Sequence, residues 1–157
     1  MKRILSSLSI LILLNSCINK SYDEALNSGL EKYPRIRNLN LSLVEGYTVE
    51  KLAFFKTKEH EYKFVLKLSD ATTDTLVERY SLGLFGFVDK KYLKENKNHL
   101  SWNSKPVIES FGKYKYIIKD IVIPTKEMDS IIYFLYDRDK YRKVIGHRIV
   151  LKNIQLR

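Results

Sequence analysis

The groups that could do chemistry in this chain of 157 residues are few and scattered. Its one thiol, Cys17, can form neither an internal disulfide nor a cysteine-rich zinc site, so what it offers is a single nucleophilic sulfur. His60, His99 and His147 lie far apart with no second cysteine to complete a metal set. Asp70 with Asp74, or Asp137 with Asp139, could offer oxygens to calcium, but neither pair has the glycine and glutamate of a dedicated calcium loop. Glu59 with Glu61, or Glu109 with Asp120, could divide acid and base roles only if the fold brought them to a common centre. No nucleophile elbow, phosphate-binding glycine loop, zinc-protease histidine pair or dinucleotide fingerprint is present. The residues therefore predict no enzyme, no metal and no cofactor.

Two kinds of side chain suit binding instead. Trp102, Tyr114 and Tyr116 could form a stacking platform, because flat apolar rings with polar tips fit the faces of sugars. Basic residues crowd three stretches: Lys56, Lys58, Lys63 and Lys67; Lys90, Lys91, Lys94 and Lys97; Arg138, Lys140, Arg142 and Lys143. With 28 basic against 18 acidic residues the formal charge is +10, which would attract anionic headgroups, lipopolysaccharide or acidic glycans. The bland reading is composition, because the chain is also rich in Asn, Ile, Tyr and Phe, a set that AT-rich genomes favour.

Cys17 acquires a meaning from what precedes it. Lys2 and Arg3 form a positive n-region, and Ile4 to Leu14 is an eleven-residue apolar run with a few serines. That run is about half the roughly 20 residues a membrane-spanning helix needs, so it reads as a signal peptide. Leu14-Asn15-Ser16-Cys17 resembles the lipobox of bacterial lipoproteins, with Asn15 the one imperfect position. The resemblance, which covers these seventeen residues, implies cleavage before Cys17 and a thioether diacylglycerol on its sulfur, usually with an N-acyl chain. Two or three acyl chains would anchor the protein durably, where one is marginal. The resemblance implies a small envelope lipoprotein, the composition hints at a Bacteroidota-like source, and Ile18 in second position matches the pattern that sorts lipoproteins to the outer membrane in enteric bacteria. Such a location leaves no nucleic acid to meet. The mature chain would keep 26 basic and 18 acidic residues, a formal +8.

The elements that position these residues are read from periodicity. Residues 17–37 read as the lipidated cysteine and a tether, with Ser21-Tyr22-Asp23-Glu24 as a capping box for a short helix that Asn27, Ser28 and Gly29 weaken. The alternative is a flexible polar spacer. From residue 38 the period becomes two. Leu39, Leu41 and Leu43 alternate with polar residues, and Tyr62, Phe64, Leu66 and Leu68 mark the cleanest amphipathic strand. Further strands are expected over Leu76 to Val88, at Leu100 and Trp102, over Tyr114 to Ile123, over Ser130 to Tyr136 as a strand covered on both faces, and over Val144 to Leu156. Gly83 and Gly86 mark a bulge or a close approach, and Asp89 caps one helical turn in a lysine-rich loop. Seven or eight strands without βαβ alternation predict an all-β fold, an antiparallel β-sandwich of immunoglobulin-like or similar type over 38–157, after a signal at 1–16. Ile131 to Tyr136 and the basic hairpin after it are similar to the last strands of accessory sandwiches on carbohydrate-active membrane proteins.

The expected function is a non-enzymatic binding or scaffolding module at the cell envelope, held by its lipid on the outer membrane, for glycans or anionic envelope components. The alternative is a protein-interaction subunit of an envelope complex, or an inhibitor of a periplasmic effector.

Overall fold

The computed structural model describes residues 21–93, 99–102, 105–125, 127–140 and 143–156. Cys17 and the signal segment lie outside the described residues, as do Lys94, Lys97 and Arg142 of the basic groups. Two antiparallel sheets pack face to face as an all-β sandwich. Strands β1 (Arg37–Val44), β2 (Tyr47–Lys58) and β3 (Glu61–Leu68) continue through β7 (Tyr114–Val122) to β6 (Val107–Phe111), giving the order β1-β2-β3-β7-β6. The four-stranded sheet is β5 (Leu100–Ser101), β4 (Tyr80–Phe87), β8 (Glu127–Asp137) and β9 (Lys143–Gln155), in the order β5-β4-β8-β9. Alternate residues meet between the sheets, among them Phe64 and Leu66 from β3, Ile117 and Ile121 from β7, and Tyr133 and Leu135 from β8. Each such side chain contributes about 1.5–3 kcal/mol on leaving water.

The expected tether is instead part of the fold. Residues 21–27 form helix α1, and Ala25, Leu26 and Leu30 pack with Ala53, Phe55, Val65, Tyr116 and Ile118 on the outer face of the five-stranded sheet. Ser21 is already helical rather than a cap. Gly29 ends the helix instead of weakening it: at φ +67° its amide donates to the Leu26 carbonyl and the Leu30 amide donates to that of Ala25, the paired bonds of a Schellman stop. Tyr33 then stacks over Phe55 with ring centroids 4.1 Å apart and donates its hydroxyl to the Phe54 carbonyl at 2.6 Å. Because this layer covers β3 from outside, the strand with the clearest alternation is buried on both faces.

Three elements differ from the periodicity, one of them β2, which is not among the expected strands. The first residues of the expected strand over Leu76 to Val88 are helix α2 (Asp74–Arg79), whose first turn is capped by the Thr73 hydroxyl accepting the Leu76 amide. Strand β6 was not expected, because it is a short edge strand exposed at Val107, Ile108 and Ser110 and so has little alternation to read. The single turn after Asp89 is present over Lys90–Tyr92, with the Asp89 carboxylate accepting the Lys91 amide.

The two long edges of the sandwich differ. On one side β9 runs against β1: the Arg37 guanidinium donates to the Lys152 carbonyl at 3.5 Å, and Gly146 lies so close to the Leu43 carbonyl that a Cβ would overlap it. On the other side β5 is only two residues long, and it pairs with Phe85 and Gly86 of β4 but not with Leu82 to Leu84. That edge is open.

Candidate functional site

The three aromatics expected as one platform do not assemble. Tyr116 is 0 % exposed, with its hydroxyl donating to the Leu26 carbonyl at 2.5 Å beneath α1. Tyr114 is half-buried in the same outer layer, where Lys67 lies 4.5 Å from its ring centroid and Gly29 presses on the ring. Trp102 packs on the core between the sheets, with its indole over Gly86 and its Nε1–H donating to the Val122 carbonyl at 2.9 Å. Alternation along β7 and the crossing from β5 set these rings on opposite sides of the five-stranded sheet. A sugar could not stack on all three.

Most described members of the first basic stretch are matched. Lys58 lies 3.5 Å from Glu61, Lys63 lies 3.0 Å from Asp120, and Lys67 lies 2.6 Å from Glu50; Lys91 of the second stretch lies 3.2 Å from Asp89. The carboxylate pairs are also separated or occupied. Glu109 stands opposite Tyr116, four residues along β7 from Asp120, whose carboxylate is held by Lys63 at 3.0 Å. Asp137 is buried. Desolvation pushes its carboxyl up, but the Asp139 amide, the Arg79 guanidinium 3.2 Å away and Lys140 together hold it below the ordinary carboxylate value. A cavity of about 580 Å³ at one end of the sandwich gathers Asp89, Glu127, Asp129 and His60, yet no three groups among the described residues are placed to hold a metal.

The open edge holds a cavity of about 670 Å³. The cavity wraps the edge of β4 that faces away from β8: Trp102 lines it on the inner side, Phe85, Phe134 and Tyr136 line it on the outer face of the four-stranded sheet, and the chain at Lys105 and Pro106 leads from it into β6. Both glycines flagged in the sequence are close approaches rather than bulges. A Cβ at Gly83 would stand 2.5 Å from the Phe134 ring, and one at Gly86 would overlap Trp102. The rings that line the cavity are therefore seated on backbone.

Lys119 also lines this cavity. It faces the interior of the sandwich, between Ile117 and Ile121 on β7 and opposite Phe64 on β3, and is 4 % exposed. Burial pushes its ammonium below the ordinary lysine value, and no carboxylate or hydrogen-bond acceptor among the described residues meets it. Sequence reasoning missed this residue. The available signal was phase: within Tyr114 to Ile123, Lys119 falls on the same face as Ile117 and Ile121, the inward set.

No family model matches the chain, and no curated protein or solved structure shows significant similarity to it.

Proposed function

We propose that this protein is a lipid-anchored module of the cell envelope that binds a ligand rather than transforming one. The observation that carries the reading is the cavity at the open edge. Trp102 and Lys119 on the inner side of β4, Phe85, Phe134 and Tyr136 on its outer side, and Ser101 and Lys105 beside them form a lining that can hold and orient a ligand. Between the two ligand classes the sequence suggested, an anionic one is favoured over a neutral glycan, because the buried charge that no opposite group among the described residues meets is a cation, and the three rings are split between two faces. The anchor rests on the lipobox resemblance, and the packed N-terminal segment sharpens it. Four Cα-to-Cα steps lead from Cys17 to Ser21, a reach of at most about 14 Å, so a lipidated Cys17 would hold the sandwich close against the bilayer.

The anchor is tested by expressing the full chain and its Cys17→Ala variant in a bacterial host. The wild type is expected in the membrane fraction carrying labelled fatty acid, and the variant is expected to lose the label and remain unprocessed. Label-free wild-type protein would end the lipoprotein reading. The protein-interaction alternative has its own support in β6, an edge strand with Val107 51 % and Ile108 41 % exposed. Pull-down from solubilised membranes separates the two. A stoichiometric protein lost on Ile108→Lys would favour the interaction subunit, and its absence the ligand-binding module.

A further inference from the structure

We propose that the open-edge cavity is a carboxylate site: it takes a monoanion with an apolar body, and Lys119 supplies the counter-charge. The proposal rests on the binding half of the functional reading and is independent of lipidation.

The first argument is the cost of Lys119. Its residue is 4 % exposed, and its ammonium, partly stripped of water by burial, meets solvent at the cavity, where an opposite charge would replace the hydration it has lost. Lys67, equally buried in the same sheet, has that replacement in Glu50 at 2.6 Å and in the Tyr114 ring. Lys119 has neither among the described residues, and an apolar residue there would continue the Ile117 and Ile121 row. A group kept in a cavity at such a cost is a candidate for function. What it lacks is one negative charge.

Size and lining narrow the class. A space of about 670 Å³ falls in the range of small-ligand sites, roughly 300–1,000 Å³. On the Lys119 side of β4, Trp102, Leu82 and Leu84 give it an apolar wall suited to a ring or a short alkyl chain, while Phe85, Phe134 and Tyr136 line it past the edge of β4, on the outer face of the four-stranded sheet. One buried cation matches a single carboxylate. A phosphate dianion would need a second buried donor, and Lys105, the other lining cation, is exposed. Pro106 lies opposite Lys119 in the β6–β7 register, just before β6 begins, so the route to the ammonium runs past the start of that strand.

Trp102 is the sole tryptophan, so its emission reports the cavity directly. The full chain carrying Cys17→Ala is titrated with octanoate and with phenylacetate, and in parallel with octanamide and phenylacetamide, which keep shape and lose charge. At least one acid is expected to change the emission saturably, and its amide to bind about tenfold or more weaker. Which acid responds tells an aliphatic source from an aromatic one. Lys119→Met is expected to reduce binding of that acid to the level of its amide. Equal binding of acid and amide to protein retaining Lys119 would overturn the proposal without any change at that residue, as would undiminished acid binding in Lys119→Met. An emission that none of the four probes moves would overturn it too, while the fractionation result stands or falls separately.

Discussion

Lys119 and Lys67 show how neighbouring strands of one sheet can treat the same side chain. Lys67 points to the outer layer and finds a carboxylate and a ring; Lys119 points into the core margin and finds neither. The difference has a consequence for stability as well as for binding. With its folded-state value depressed by burial, Lys119 binds fewer protons in the native chain than in the unfolded one, so stability rises with pH through the window between the depressed value and the ordinary 10.5. The penalty for the charge is complete below that window and gone above it. Lys119→Met is therefore expected to be more stable than the parent at neutral pH, with the two converging as pH climbs past the window, measured by urea melts across that range. A variant less stable than the parent at neutral pH would mean that the ammonium has an acceptor in solution. Stability gained together with binding lost is the trade expected of a functional group in a core.

At the scale of elements, the N-terminal layer shows most clearly what periodicity can and cannot convey. Tyr22, Leu26, Leu30 and Tyr33 fall near a helical stripe, and that stripe does meet the protein. Its partner surface was hidden, because Ala53, Phe55, Val65 and Ile118 sit on strand faces that would be solvent-facing in a bare sandwich. Nothing local announces that a second layer covers them. Leu26→Ala separates a packed segment from a spacer: truncating a fully buried leucine is expected to cost about 2–5 kcal/mol in a denaturant melt, where a spacer would lose nothing measurable. Unchanged stability would detach α1 from the fold. The strands over Leu39 to Leu43 and Tyr62 to Leu68 were legible because each sets one apolar face against the core. Strand β6 was not, because an edge strand with exposed aliphatics carries no such contrast, and α2 was obscured by Leu76 and Val77, whose apolar character continues the run into β4. The aromatic platform failed for a related reason. Tyr114 and Tyr116 do share a face by their spacing of two, but which face is covered depends on α1, and the side on which Trp102 lies depends on the crossing from β5.

For the whole molecule the decisive feature is the asymmetry of its two edges, one sealed and one open among the described residues, since a ligand reaches the interior where the sheets part. The seal can be tested apart from any ligand, because two glycines share a backbone conformation and differ in surroundings. Gly146 has φ +64° and lies against the Leu43 carbonyl and the Val44 side chain; Gly112 has φ +58° in the β6–β7 turn, where a Cβ would meet nothing within 4 Å. Alanine at either position bears the left-handed backbone cost, about 1–2 kcal/mol. Only at Gly146 must it also push β9 away from β1. Gly146→Ala is therefore expected to destabilise the protein well beyond Gly112→Ala and to speed amide hydrogen exchange in β1 while the β4–β8 pairing stays protected. If both substitutions cost the same, β1 and β9 yield as freely as an exposed turn, and the open edge would lose its claim to be the way in.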